Sequence, residues 1–308
     1  MMKIDVTVII AAYNAAQTIA TAIDSVLNQT HYNLELIVVD DCSADDTFSI
    51  AMAYAQHDSR VKVLKTPQNM GPSAARNTAI RAASGAFFTV LDADDWFTSD
   101  RLTTLLNAAL NNNADVVIDS YFLANPKTKA CYAAKHTNLC PLNAHQYIDG
   151  VFFIANGLGS TKPLISMALI RQSNAEFNEH INGGEDLLLY AQLVLIAPTS
   201  LFINCPTYCR TESPQSISRG NRIRFLNDVL NAYAILRQLV HSNNRVTPQL
   251  LNALSYREMV VEDALVAAKW KHWLSQQCKP PVPSTKSLLR LIRHIWCRKA
   301  RYSINVLS

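Results

Sequence analysis

Between Val6 and Ile118 the chain alternates β-branched apolar runs with stretches of helical periodicity, and that rhythm leaves few folds open. Val6 to Ala11 (VTVIIA), Leu34 to Val39 (LELIVV), Val61 to Leu64, Ala86 to Leu91 (AFFTVL) and Asp115 to Ile118 (DVVI) read as strands. A run without polar alternation belongs in a strand buried on both faces. Between the runs, Ile19, Ile23, Val26 and Leu27 share one helical face. Phe48, Met52 and Ala55 share another, and Leu102, Leu105, Leu106 and Ala109 a third. Ser43-Ala44-Asp45-Asp46 reads as a capping box, and Ser73 as the N-cap of a helix that stops at Gly85. The repetition predicts an α/β fold: a doubly wound, mostly parallel sheet with right-handed crossovers and helices on both faces.

The periodicity weakens from Ala124 to Tyr147, which reads as a loop-rich insertion. Gly183-Gly184 predicts a turn, and Glu185-Asp186 opens a helix (LLLYAQLVLI), where acids complement the helix dipole. After Ser216 the pattern turns helical, over Ile223 to Leu239 and Leu250 to Trp273. Pro280-Pro281-Val282-Pro283 breaks it. The end, 286–301, carries Lys286, Arg290, Arg293, Arg298, Lys299 and Arg301 with no acid, interleaved with leucines, isoleucines and Trp296. Two readings of that segment stand side by side: a helix packed on the rest of the chain with a solvated basic face, or a segment lying on an anionic membrane surface.

Two of the strands end in paired acids, Asp40-Asp41 and Asp92-Ala93-Asp94-Asp95. Open α/β sheets bind ligands at the carboxyl ends of strands, near the point where the strand order reverses. Helix capping explains Asp45 and Asp46. It explains Asp92, Asp94 and Asp95 poorly, because three carboxylates in four residues repel one another unless a cation sits among them. A hard divalent ion, Mg²⁺ or Mn²⁺, suits oxygen ligands of this kind. The seven cysteines are scattered without a CxxC pair, so reduced cytosolic thiols are expected rather than a zinc site. A net charge of +4 is too small to predict nucleic-acid binding for the whole chain. The N-terminus lacks the pattern of a secretory signal, and no apolar stretch approaches the roughly 20 residues of a membrane span. A cytoplasmic location is expected, with the basic end as the candidate contact to the inner face of the membrane.

Val6 to Asn14 (VTVIIAAYN), Val38 to Asp46 (VVDDCSADD), Asn69 to Asn77 (NMGPSAARN) and Leu91 to Trp96 (LDADDW) together resemble family 2 of the inverting glycosyltransferases, of the type that builds bacterial cell-surface polysaccharides. The resemblance is strong over about the first 120 residues and continues weakly to about residue 220. It implies a GT-A fold over 1–215, with a nucleotide-sugar-binding half (1–120) and an acceptor half (121–215), followed by a helical region (216–308). Asp94 would then be the direct metal ligand. Asp92 would contact the ribose, or the metal through water, with Asp95 on the sugar or the loop. Ala11, Ala12 and Tyr13 would line the nucleoside pocket beside Ala93. Asp41 would accept from the N3–H of a uracil-like base, and Arg76 would reach the base or phosphates. Arg210, with Tyr208, would close over the diphosphate. Asp186 matches the family's general base, with Glu185 as its understudy. Read in isolation, Tyr13 would be a core aromatic at a strand end and Arg76 a solvated helix residue. Cys42 and Leu187 depart from the family, which usually has Gly or Asn at the first position and often an aromatic at the second.

The activity implied is metal-assisted, inverting transfer from a nucleotide-diphosphate sugar, with UDP the favoured nucleotide, to a hydroxyl of a glycan or lipid-linked acceptor. A sugar nucleotidyltransferase or a dinucleotide dehydrogenase would carry a Gly-rich loop after the first strand, where this chain reads AAYNAAQT. A non-catalytic nucleotide-binding scaffold in a polysaccharide assembly complex is the remaining alternative.

Overall fold

A computed structural model describes residues 4–124, 131–133, 147–148, 162–211, 221–243 and 246–276. Its elements follow the chain as β1 (Val6–Ala12), α1 (Ile19–Leu27), β2 (Leu34–Asp40), α2 (Thr47–His57), β3 (Val61–Lys65), α3 (Pro72–Ala82), β4 (Phe87–Asp92), β5 (Trp96–Phe97), α4 (Arg101–Asn112), β6 (Val116–Ala124), β7 (Cys131–Ala133), β8 (Leu164–Ser166), α5 (Met167–Ser173), α6 (Glu185–Ile196), β9 (Ser200–Thr211), α7 (Arg222–His241) and α8 (Pro248–Gln276). One sheet takes the order β3-β2-β1-β4-β8-β6-β9-β5, with β7 beside β6.

The expected parallel rhythm holds through β1 to β4, with Val6 opposite both Leu34 and Phe87. The short β8 runs antiparallel to β4 and to β6, so β6 is parallel to β4, and β9 follows parallel to β6. The sheet is thus mostly parallel, with antiparallel insertions. The chain winds outward from β1 through β2 to β3, then returns to place β4 on the other side of β1. That reversal opens a crevice between the carboxyl ends of β1 and β4, where Ala11 stands opposite Asp92.

Both faces of the sheet are covered. Val8, Ile10, Leu36 and Val38 pack against Ile19, Ile23, Val26, Leu102 and Leu105 of α1 and α4. Their neighbours Ile9, Ile37 and Val39 point the other way, towards Ala75, Ala79 and Ile80 of α3. Alternate residues of one strand feeding two cores explains why these strands lack polar alternation. Leu226, Val229, Leu236 and Leu254 of α7 and α8 belong to the same apolar cluster as α3.

Two capping expectations are corrected. Asp46, not Ser43, precedes α2, and its side chain makes no capping hydrogen bond. Ser43 Oγ instead accepts from Asn14 N (2.9 Å), and Asp45 Oδ2 from Ala16 N (3.1 Å), while Ala44 N donates back to Asn14 Oδ1 (2.9 Å). These bonds lock the loop after β1 to the loop after β2. Ser73 lies inside α3, whose N-cap is Gly71 at φ +87° with Pro72 at the first helical position. β6 ends at Ala124, where the loop-rich segment was expected to begin, and within that segment β7 (Cys131–Ala133) pairs with β6. The rest of that insertion, like the basic segment 286–301, lies outside the described residues.

Candidate active site

The motifs converge at the carboxyl edge of the sheet. Asp92 ends β4, and Glu185 and Asp186 open α6. Arg76 joins them from α3: Nη2 donates to Asp92 Oδ1 (3.0 Å), and Nη1 donates to Glu185 Oε1 (3.1 Å) and Asp186 Oδ1 (3.0 Å). The isolated reading of Arg76 as a solvated helix residue is overturned, since it is only 6% exposed. The guanidinium expected at the base or phosphates is committed to three carboxylates.

A second cation was not anticipated. Lys162, just before β8 and 1% exposed, places Nζ 3.1 Å from Asp92 Oδ2 and also donates to Asp186 Oδ2. A lone lysine before a proline in a polar stretch looks solvated. The available signal was stoichiometric: six acids were assigned to one site, with Arg76 and Arg210 alone to balance them.

These contacts set the electrostatics. Burial works against ionisation of Asp92, but Lys162 and Arg76 outweigh it and bring its pKa down to about 2. Burial likewise opposes the charge on Lys162, and Asp186 and Asp92 more than restore it. Burial, reinforced by Asp186, raises Glu185. Asp94 reaches solvent, yet the protein around it displaces part of its hydration and, with the charge of Asp92, raises its pKa. Asp95 is pushed up to about 8 by burial and by both neighbouring carboxylates. Asp95 faces inward, accepting from Tyr208 Oη (2.6 Å) and Thr211 N (2.7 Å). Its role here is to hold β9 against the acidic segment. Tyr208 is buried rather than part of a closing flap, and its ring packs 5.7 Å from that of Phe97. Arg210, further along β9, sits where its charge acts on both Asp94 and Tyr121.

The side of the crevice where a nucleoside is expected is equally well defined. Tyr13 is 52% exposed, which excludes the core-aromatic reading and leaves its ring free to pack on a ligand. Ala11 and Ala12 end β1 beside it; Ala12 is buried, while Ala11 and Ala93 are half-buried. Asp41, just after β2, is 3% exposed. Its Oδ1 accepts from Thr66 Oγ1 (2.8 Å) and Met70 N (2.9 Å), and its Oδ2 from Gly71 N (2.7 Å). These bonds use about three of the roughly four lone-pair positions of a carboxylate. Cys42 follows at φ +59°, which is the physical reason a Gly or Asn would suit the position.

Asn77, the last residue of the third motif, proves to be a brace. It is buried, donates to Phe177 O (2.9 Å) and accepts from Phe177 N (2.9 Å). That reciprocal pair ties α3 to the segment that leads to Gly183-Gly184 and the start of α6.

A family model, glycosyl transferase family 2, matches residues 7–167. The chain belongs to that family, and its sheet is the GT-A fold. Among curated relatives, the succinoglycan biosynthesis protein ExoO of Rhizobium meliloti is 34% identical over 192 residues, 61% of this chain and 55% of that protein. The UDP-Glc:α-D-GlcNAc-diphosphoundecaprenol β-1,3-glucosyltransferase WfgD of Escherichia coli is 39% identical over 120 residues, 39% of this chain and 47% of that one. The chain thus spans about half the length of each of these two relatives. Among solved structures, the mannosyltransferase PcManGT of Pyrobaculum calidifontis, in complex with GDP-Man and Mn²⁺, superposes with a TM-score of 0.60 at 20% identity, covering 97% of this chain and 84% of that one.

Proposed function

We propose that this chain is an inverting glycosyltransferase that moves a sugar from a nucleotide-diphosphate donor, UDP-linked by preference, to a hydroxyl of a glycan or lipid-linked acceptor in polysaccharide synthesis. The observation that carries the reading is the convergence of Asp92 and Asp94 with Asp186 at the β1/β4 crevice. The chemistry is a single displacement. Asp186 takes the proton of the acceptor hydroxyl as its oxygen attacks the anomeric carbon, and the nucleoside diphosphate leaves from the opposite face with the bonding electron pair. Charge develops on a ring-oxygen-stabilised carbon, by analogy with glycoside hydrolysis. Glu185 stands beside the base. Tyr13 packs on the nucleobase, Ala11, Ala12 and Ala93 line its pocket, and the remaining acceptor capacity of Asp41 selects a ring that offers a donor. Arg210 approaches the diphosphate from β9.

The donor set fits a divalent cation. Asp94 is exposed, lies beside the charge of Asp92, and has no ion-pair partner among the described residues. Among the described residues, no group of three or more His, Cys, Asp or Glu is placed to hold a metal ion by itself. Asp94, supported by Asp92, would therefore hold the ion jointly with donor phosphate and water. When bound, the ion neutralises the charge that accumulates on the departing diphosphate. Mn²⁺ in the PcManGT complex and the UDP donor and lipid-linked acceptor in WfgD's name support these choices.

A donor screen tests the reading. Purified protein with Mn²⁺ should turn over at least one nucleotide sugar, and Asp186→Ala should lower transfer about 10²- to 10⁴-fold. Full transfer by that variant would remove Asp186 as the base. No turnover, and no thermal shift with any nucleoside diphosphate plus Mn²⁺, would favour the scaffold reading.

A further inference from the structure

We infer that Lys162 is a positioning residue for the transfer, holding the donor-side Asp92 and the base Asp186 in one fixed relation; this rests on the function proposed above. Its ammonium spans the two carboxylates, one at the end of β4 and one at the start of α6. These acids come from elements 94 residues apart in sequence, and Arg76 bridges them on a second side. Two cations on two acids fix a separation that one flexible pair would leave variable.

The backbone of Lys162 is itself held from below. Its carbonyl accepts from Thr89 Oγ1 on β4 (3.1 Å) and from Arg101 Nη2 on α4. Arg101 is fully buried and donates through Nη1 to Asp119 Oδ2 (2.8 Å), which also accepts from Thr207 Oγ1 (2.6 Å). The Arg101 guanidinium lies 4.5 Å from the centre of the Phe97 ring and 5.2 Å from that of Tyr208. A buried ion pair is weak evidence for stability, since apolar residues of equal volume often serve as well. This one gains a purpose from its third partner: it spends a guanidinium N–H on the backbone of Lys162 and supports the tyrosine that binds Asp95. The arrangement reads as a post beneath the site, with Lys162 as its upper end.

The test uses the full chain with Lys162→Met and Lys162→Arg, measuring nucleotide-sugar turnover and UDP–Mn²⁺ affinity. Lys162→Met should lower kcat about 100-fold, as expected for misplaced reacting groups, while UDP affinity changes by less than about threefold. Lys162→Arg, which keeps the charge, should recover about tenfold of that loss. Turnover by Lys162→Met within threefold of the original, or equal losses in kcat and UDP affinity, would overturn the inference. A double-mutant cycle on thermal midpoint, Lys162→Met with Asp186→Asn, reads the pairing without any substrate. Non-additive shifts are expected, with the double variant more stable than the sum of the singles implies. Additive shifts would overturn the pairing, whereas a chain that turns over no nucleotide sugar would overturn the donor reading instead.

Discussion

At the scale of single residues, the acidic segment divides its work. Asp92 is tied to Arg76 and Lys162, Asp95 is turned inward to Tyr208, and Asp94 is left exposed. An exposed carboxylate beside a fixed like charge gains most from a cation. Asp94→Ala should therefore abolish the Mn²⁺-dependent part of the thermal shift produced by UDP, leaving the shift by UDP alone. Calorimetric melting with and without Mn²⁺ measures both, and an undiminished metal effect would move the ion elsewhere. The like-charge crowding around Asp94 was legible, because it is a property of the sequence itself, whereas its assignment to a metal rests on the family resemblance. Lys162 was not, because its partners come from segments that meet only in the folded sheet. The Asp41 carboxylate falls between: its place at a strand end was readable, while its three hydrogen bonds to the 66–71 segment depend on how that loop returns.

At the scale of elements, β1 to β4, β6 and most helices were readable because burial on both faces imposes a composition that polar loops do not share, whereas β5, β7, β8 and β9 were missed. The capping box was read wrongly because Ser43 has its partner across space, in the loop after β1; Asp45 serves both sides, its Oδ2 accepting from Ala16 N and its Oδ1 from Thr47 N at the start of α2. The amino ends of the strands are tied by Glu35, which no motif marked. It accepts from Thr7 Oγ1 (2.7 Å), Ser84 N (2.6 Å), Ser84 Oγ (2.7 Å) and Lys62 Nζ (2.6 Å). Burial opposes its ionisation, but these donors prevail and hold its pKa at about 2. In the unfolded chain it titrates near about 4.3. The folded value is the lower one, so the stabilisation is complete above about pH 4.5 and is lost as pH falls towards 2. Glu35→Gln should cost about 2 kcal/mol at pH 7, allowing for the solvent around the half-exposed Lys62. It should also flatten the fall of the melting temperature below pH 4.5. Parallel acid limbs for the two proteins would assign that fall to other carboxylates. The same end of the sheet leaves no room at Gly85, where an added Cβ would lie 2.7 Å from Thr7 N and 2.8 Å from Phe87 O. Both are backbone atoms, so Gly85→Ala should destabilise by about 1–3 kcal/mol, measured by urea unfolding.

At the scale of the whole molecule, the question is whether α7 and α8 are an appendage or part of the machinery that places the base. Among the described residues, no helix is long and apolar enough to cross a membrane. The apolar faces of α7 and α8 are buried in the cluster that also holds residues of α6. The contact falls on the turn that launches α6. A Cβ at Gly183 would lie 2.7 Å from the Phe225 ring, and one at Gly184 3.2 Å from Ala232. Gly184 also holds φ +82°, so the close approach of α7 and the backbone turn demand glycine together. Asp186 therefore takes its position from α7 below as much as from Arg76 and Lys162 above. Leu254 of α8 is fully buried in the cluster that also contains Leu188 and Leu189 of α6. If that cluster is one cooperative core, Leu254→Ala should cost about 2–5 kcal/mol and lower a single thermal transition without splitting it. An appended helical pair would respond differently, with an early transition for the pair and an unshifted one for the sheet. Circular dichroism and nucleoside-diphosphate binding followed through the same melt separate the two. Loss of UDP–Mn²⁺ binding in step with the helices is the outcome that the packing on Gly183 and Gly184 requires.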